Sequence, residues 1–220
     1  MKQYMPLLQD CPLFQQIKAE DLKALMGCLG ARTVSYKKKE TIFSEGDPAD
    51  QIGIVLSGSA QLVQMDYFGN RSILHHSMPG DIFAEAFSFT GLETIPVSGY
   101  AVKASKVMLL TCRRMMTVCA NACGFHNTLV KNLLQLVSRK NLMLSEKIRY
   151  MSQKTTRDKL MAYLSDQAKQ ANSPEFTIPY DRQGLADYLG VERSAMSAEI
   201  SRLSKDGIIE TKGSKFRLIS

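Results

Sequence analysis

From Val130 the apolar positions of this chain advance by four, three, four and three residues: Val130, Leu134, Val137, Asn141, Leu144, Ile148 and Met151. That spacing is a heptad seam and predicts a long helix with one polar seam position, Asn141. Leu129, Leu133 and Leu136 mark a second apolar face on the same helix. A helix with two apolar faces calls for two partners, and a parallel homodimer supplies one of them. An asparagine in a seam costs stability but fixes register and favours two strands. The alternative is a helix packed only on its own chain, with Asn141 exposed.

The pattern differs on either side of that helix. Residues 1 to about 30 read as short helices, the second ending at the glycine of "AEDLKALMGCLG". Residues 33–112 break into short β-rich runs, among them "IGIVLSGSAQLVQMD", "RSILHHSMPGD" and "VSGYAVKASKVMLLTC", punctuated by Gly and Pro. Alternation with regular turn signals predicts a small antiparallel barrel or roll. Residues 152–220 read as a helix, a break with a short strand, two further helices, and a hairpin turning at Gly213–Ser214. The expected fold class is therefore α+β. It comprises a jelly-roll-like antiparallel roll with N-terminal helices over 1–112, a dimerisation helix over 113–151 and a helical unit closed by a hairpin over 152–220.

The stretch "LADYLGVERSAMSAEISRLSKDGII" carries the most specific chemistry. A helix-turn-helix needs a small residue where its helices cross, here Ala186, and a glycine in the turn, here Gly190. Met196, Ile200 and Leu203 then face inward, which leaves Arg193, Ser194, Ser197 and Ala198 facing out at the start of the second helix. In DNA complexes that end meets base edges in the major groove. Arginine pairs bidentately with guanine, serine bonds either base type, and alanine touches a thymine methyl. Arg182, Lys212 and Lys215, with Arg217 nearby, join the expected DNA contacts. The same helices also occur as a plain packing unit.

Charge adds little to this picture. The 220-residue chain has a net charge of +7, yet residues 151–220 hold eleven Lys and Arg against nine Asp and Glu. DNA affinity then has to come from local arrangement and from two copies acting together. No apolar stretch approaches the roughly 20 residues of a bilayer span, and no signal peptide is seen, so the expected location is the cytoplasm with no membrane partner. Five cysteines at irregular spacing argue for reduced thiols over a disulfide framework.

The chain resembles the CRP/FNR family of bacterial transcription regulators over residues 10–220. "TIFSEGDPADQIGIVLSGSAQLV" resembles the opening of the family's cyclic-nucleotide-binding-type roll, and "PGDIFAEAFSFTG" its ligand-pocket segment. "SEKIRYMSQKTTRDKLMAYL" resembles the end of the dimer helix and the link into the DNA domain. "DRQGLADYLGVERSAMSAEISRLSKDGIIE" resembles the winged helix-turn-helix. The resemblance implies a homodimer on palindromic double-stranded DNA with half-sites about 10 bp apart, a small-molecule effector, and contact with RNA polymerase where it activates. It also implies an effector pocket at Glu85, Phe83, Val97, Ser98, Leu144 and Ser145.

Departures from the family pattern argue against cyclic AMP. Glu85 stands where the ribose-binding glutamate would, and it also reads as a purely structural carboxylate. The Arg-Ser pair for the cyclic phosphate aligns with Val97-Ser98, so the arginine is missing, and a half-buried phosphate needs a charge partner. The hydroxyl pair for adenine aligns with Leu144-Ser145, so one hydroxyl is gone. Where many relatives carry a second arginine on the reading helix, this chain has Ala198.

Other effectors leave weak marks. Cys11 and Cys28 lack the clustered cysteines of an iron–sulfur site. His75 and His76 point to opposite faces of a strand, which disfavours haem. Cys119, Cys123 and His126 share a helical face and offer three soft ligands for zinc or a thiol sensor, but they read equally as core. Phe83, Phe87 and Phe89 either line an apolar pocket or fill a core. Two rivals to a regulator exist: a signalling roll whose C-terminal domain binds protein instead of DNA, and a metal enzyme on the roll. His75, His76 and Glu85 are too few for the second, so no enzyme is expected.

Overall fold

The structure, a computed structural model, describes residues 2–69, 71–117 and 124–219. It divides into two compact units, Met1–Ser138 and Arg139–Ser220. The first opens with helices α1 (Met5–Asp10) and α2 (Ala19–Cys28). Strands β1 (Arg32–Tyr36), β2 (Thr41–Phe43), β3 (Gln51–Ser57), β4 (Ala60–Met65), β5 (Arg71–Ser77) and β6 (Ile82–Phe83) follow. Helix α3 (Glu85–Ser88), strands β7 (Ser98–Ala101) and β8 (Ser105–Thr111), and helix α4 (Cys112–Met116) complete the run. Two four-stranded sheets, ordered β1-β8-β3-β6 and β2-β7-β4-β5, form the roll, and every pairing is antiparallel.

β3 and β8 read as unbroken apolar runs because they are buried on both faces. Val55, Val107 and Leu109 point into the roll with Ala60, Leu62, Phe83 and Val97. Ile52, Ile54, Met108 and Leu110 point the other way, against Leu8, Leu13, Phe14, Leu22 and Leu25 of the N-terminal segment. Leu129 and Leu133 join this second core from helix α5 (Gly124–Met151). The interior of the roll is filled by two stacked rings, Phe43 and Phe83, with centroids 6.1 Å apart. Two glycines make room for them. A Cβ on Gly53 would lie 2.1 Å from Phe83 Cζ, and one on Gly99 would lie 2.7 Å from Phe43 Cζ.

Within the expected span 113–151 the described residues form more than one element, and the described part of α5 starts at Gly124. Residues 112–116 form their own short helix, and Thr117 is extended. Leu129 and Leu133 are buried and Leu136 packs partly on the same core. Buried Asn132 fastens the helix to the N-terminal segment. Its Nδ2 donates to the Leu13 carbonyl at 3.1 Å and to the Gln15 carbonyl at 2.7 Å.

The second unit holds the end of α5, then α6 (Thr156–Ala171), β9 (Glu175–Thr177), α7 (Arg182–Leu189), α8 (Arg193–Lys205), β10 (Ile209–Lys212) and β11 (Lys215–Leu218). α6 starts where Thr155 Oγ1 accepts the Asp158 N–H. Tyr150 from α5 is buried within this unit's core. It meets Tyr163 edge to face, and its hydroxyl donates to Asp166 Oδ2 at 2.8 Å. Among the described residues, no helix is long and apolar enough to cross a membrane.

Burial pushes the thiols of Cys11 and Cys112 up from the ordinary 9.0 to about 11, whereas Cys28 is exposed. Thiolate is the reactive form. At pH 8, iodoacetamide therefore labels Cys28 readily and Cys11 and Cys112 at least about tenfold more slowly, as read by peptide mass spectrometry. A raised thiol pKa leaves the contribution to stability whole below pH 9 and removes it as pH climbs through about 11.

Candidate nucleic-acid interface

α7 and α8 form the helix-turn-helix. Asp181 caps α7 by accepting the Gly184 N–H at 2.7 Å. Gly190 ends it at φ +62°, a left-handed cap that suits glycine, and the Val191 N–H returns to the Ala186 carbonyl at 3.0 Å. Ala186 is fully buried at the crossing, beside Leu185 and Leu189. Met196, Ile200 and Leu203 of α8 are buried in the same core. This fixes the rotation of α8, so Arg193, Ser194 and Ala198 face solvent, while Ser197 is half-buried.

The outward end of α8 is chemically open. Glu192 precedes the helix without a side-chain capping bond, which leaves first-turn N–H groups for an outside acceptor. Arg193 has no carboxylate partner among the described residues. The hairpin of β10 and β11 turns at Gly213–Ser214 and places exposed Lys212 and Lys215 directly opposite each other. β9 completes that sheet beside β11.

Several other cations of this unit are engaged. Arg182 Nη2 donates to Thr211 Oγ1 at 3.0 Å, and its guanidinium sits 5.1 Å from the Phe216 ring centre. Burial lowers its pKa from the usual arginine value. Arg182 thus braces the hairpin against α7. Arg217 lies 3.5 Å from both Glu175 and Glu210. Sequence reasoning missed Glu199, buried on α8 and held by Arg202 at 3.5 Å and Arg157 at 3.8 Å. Only the Glu199–Arg202 spacing of three residues offered a local signal.

The expected effector residues fall into different settings. Phe83 and Val97 are 1% exposed and share the roll core, with Phe87 packed partly against it. Phe89 packs instead on the core beneath the N-terminal helices. Glu85 is buried at the start of α3, and Ser98 Oγ accepts the Glu45 N–H at 3.0 Å. Leu144 and Ser145 are exposed on the part of α5 that belongs to the second unit. His75 and His76 pair with Leu62 and Gln61 in turn, on opposite faces of the sheet.

The seam residues Val130, Leu134, Val137, Asn141, Leu144, Ile148 and Met151 are all exposed, with Leu134 and Ile148 at 67%. Cys119 and Cys123 lie outside the described residues. Their expected companion His126 is buried, stacks on Phe125, and has no hydrogen-bond partner for either ring nitrogen among the described residues.

Residues 33–122 match the profile of the cyclic nucleotide-binding domain, and residues 158–220 match that of the Crp-like helix-turn-helix domain. The chain is similar to the transcriptional activator protein FnrL of Cereibacter sphaeroides. Identity is 25% over 201 residues, covering 84% of this chain and 75% of FnrL. It is also similar to the probable transcriptional regulator flp of Lacticaseibacillus casei, 27% identical and covering 95% of this chain and 92% of flp. The solved structure of the c-di-GMP responsive global regulator CLP of Xanthomonas campestris shares the fold. Its TM-score is 0.57 at 17% identity, over 92% of this chain and 100% of that one. Both profiles fall in one chain, with the roll ahead of the reading helices, and relatives of similar length regulate transcription: the protein belongs to the CRP/FNR family of transcription regulators.

Proposed function

We propose that this chain is a homodimeric, sequence-specific DNA-binding regulator of transcription in the bacterial cytoplasm, responsive to a small effector other than cyclic AMP. The observation that carries this reading is the orientation of α8. Its apolar residues are locked in the core, and its first turn presents Arg193, Ser194 and Ala198 with no acidic partner among the described residues. Such a face suits base edges in the major groove, with Lys212 and Lys215 reaching the phosphates. The exposed seam on α5 supports pairing with a second copy, which places two reading helices on a palindrome. Against cyclic AMP stands Val97: where the family's phosphate-binding arginine would lie, an apolar side chain sits in the roll core. An effector would act by binding two states of the dimer unequally.

The test is selection of DNA sites from a random pool, followed by affinity measurement with the full chain. Selected DNA should bind more tightly than scrambled DNA. Arg193→Ala should cost about 1–3 kcal/mol on the preferred site and relax preference at one guanine position per half-site. Equal affinity for selected and scrambled DNA, unchanged by Arg193→Ala, would overturn the reading in favour of a protein-binding domain.

A further inference from the structure

The β2-β7-β4-β5 sheet has one face in the roll core and one face outside. Ala60 and Leu62 point into the core, and the alternating Gln61 and Tyr100 point out, opposite each other across β4 and β7. On this outer side lies a hollow of about 480 Å³, lined by Lys38, Lys39, Gln61, Met65, Arg71 and Tyr100 among others. A volume of that order suits a small ligand. Its chemistry is one-sided: three cations line it and no carboxylate does. None of the three pairs with an acid among the described residues.

The lining is also held in place. The Arg71 guanidinium rests 5.4 Å from the Tyr100 ring centre. Lys39 adopts φ +67°, a conformation rare for a side-chain-bearing residue, and its N–H donates to the Ala101 carbonyl at 2.7 Å. That bond ties the β1–β2 turn to β7, beside the hollow. Functional sites often hold such unusual backbone.

We propose that this hollow binds a small phosphate monoester with an apolar or flat body, one molecule per chain. Three cations without a counter-charge call for more than one negative charge, which a phosphate monoester carries and a carboxylate does not. The phosphate sits among Lys38, Lys39 and Arg71, and the body covers Met65 and Tyr100. The site lies on the opposite face of the sheet from the roll core, so its test does not depend on DNA or on an effector within the roll.

The experiment is calorimetric titration of the full chain with phenyl phosphate at about 0.1 M salt, where exposed charges remain only partly screened. Inorganic phosphate and benzoate serve as the two half-ligands. The expected result is saturable binding of one phenyl phosphate per chain, at least about fivefold tighter than either half-ligand. The double variant Lys39→Gly, Arg71→Gln should weaken it at least about tenfold with the same melting curve, since glycine suits the Lys39 backbone. The proposal is overturned by no saturable uptake at about 10 mM phenyl phosphate. It is equally overturned by benzoate binding as tightly, or by an unchanged affinity in a folded double variant.

Discussion

On the proposed dimer, replacing Leu134 and Ile148 together with glutamate should leave the protein monomeric at micromolar concentration, and affinity for a two-half-site DNA should fall by about 10²–10⁴-fold. Both side chains are two-thirds exposed in the single chain, so neither substitution disturbs its cores. In a two-fold seam each change appears twice, and four like charges then face one another where apolar side chains packed. The loss on DNA follows because a monomer no longer gains from holding two half-sites at once. Sedimentation equilibrium measures the first effect and fluorescence anisotropy the second, with the melting curve as a control for folding. A variant that sediments as the wild type does would remove the seam from the interface and the palindrome with it. Leu129 and Leu133 make the useful contrast. They lie on the same helix but in the roll's outer core, so their replacement should unfold the first unit instead of dissociating a dimer.

Phe83→Ala should destabilise the roll by about 3–5 kcal/mol. The ring is 1% exposed, stacks on Phe43, and fills the space that the missing side chain of Gly53 leaves open. Removing it deletes apolar contact and leaves a void against β3, an inner strand hydrogen-bonded to both β6 and β8, so collapse around the gap is limited. Urea denaturation followed by circular dichroism gives the number. A cost under about 1 kcal/mol would mean that the roll interior is loosely filled.

The reading helices were legible because everything that orients them is local. Gly190, the period of Met196, Ile200 and Leu203, and the turn at Gly213 lie within a short span of one another. The same holds for the two faces of α5, whose alternate exposure follows directly from helical spacing. What escaped was set by distance along the chain. Glu199 meets Arg157 from another helix, Arg182 meets Thr211 and Phe216 from the hairpin, and Asn132 meets carbonyls more than a hundred residues earlier. No periodicity in the sequence announces such pairs. Arg182 is one such case: at the start of a helix it looks unengaged until the hairpin brings up Thr211 and Phe216. The phenylalanines show it for the effector region. Phe83, Phe87 and Phe89 looked like one group, yet the chain splits them between two cores.

The burial of Tyr150 in the second unit has a bearing on where this chain can be cut. Sequence patterns invite a cut after Met151, where the long helix ends. A fragment begun at Ser152 would leave behind the Tyr150 ring, its edge-to-face contact with Tyr163, its hydroxyl bond to Asp166 and the neighbouring Arg149–Asp166 ion pair. What remains would carry a hole as wide as an aromatic ring. Gene fusions that graft this reading head onto another sensor should therefore join upstream, at Arg139, where the second compact unit begins. The last turns of the seam helix then travel with the domain they complete, and any donor helix must meet them in phase.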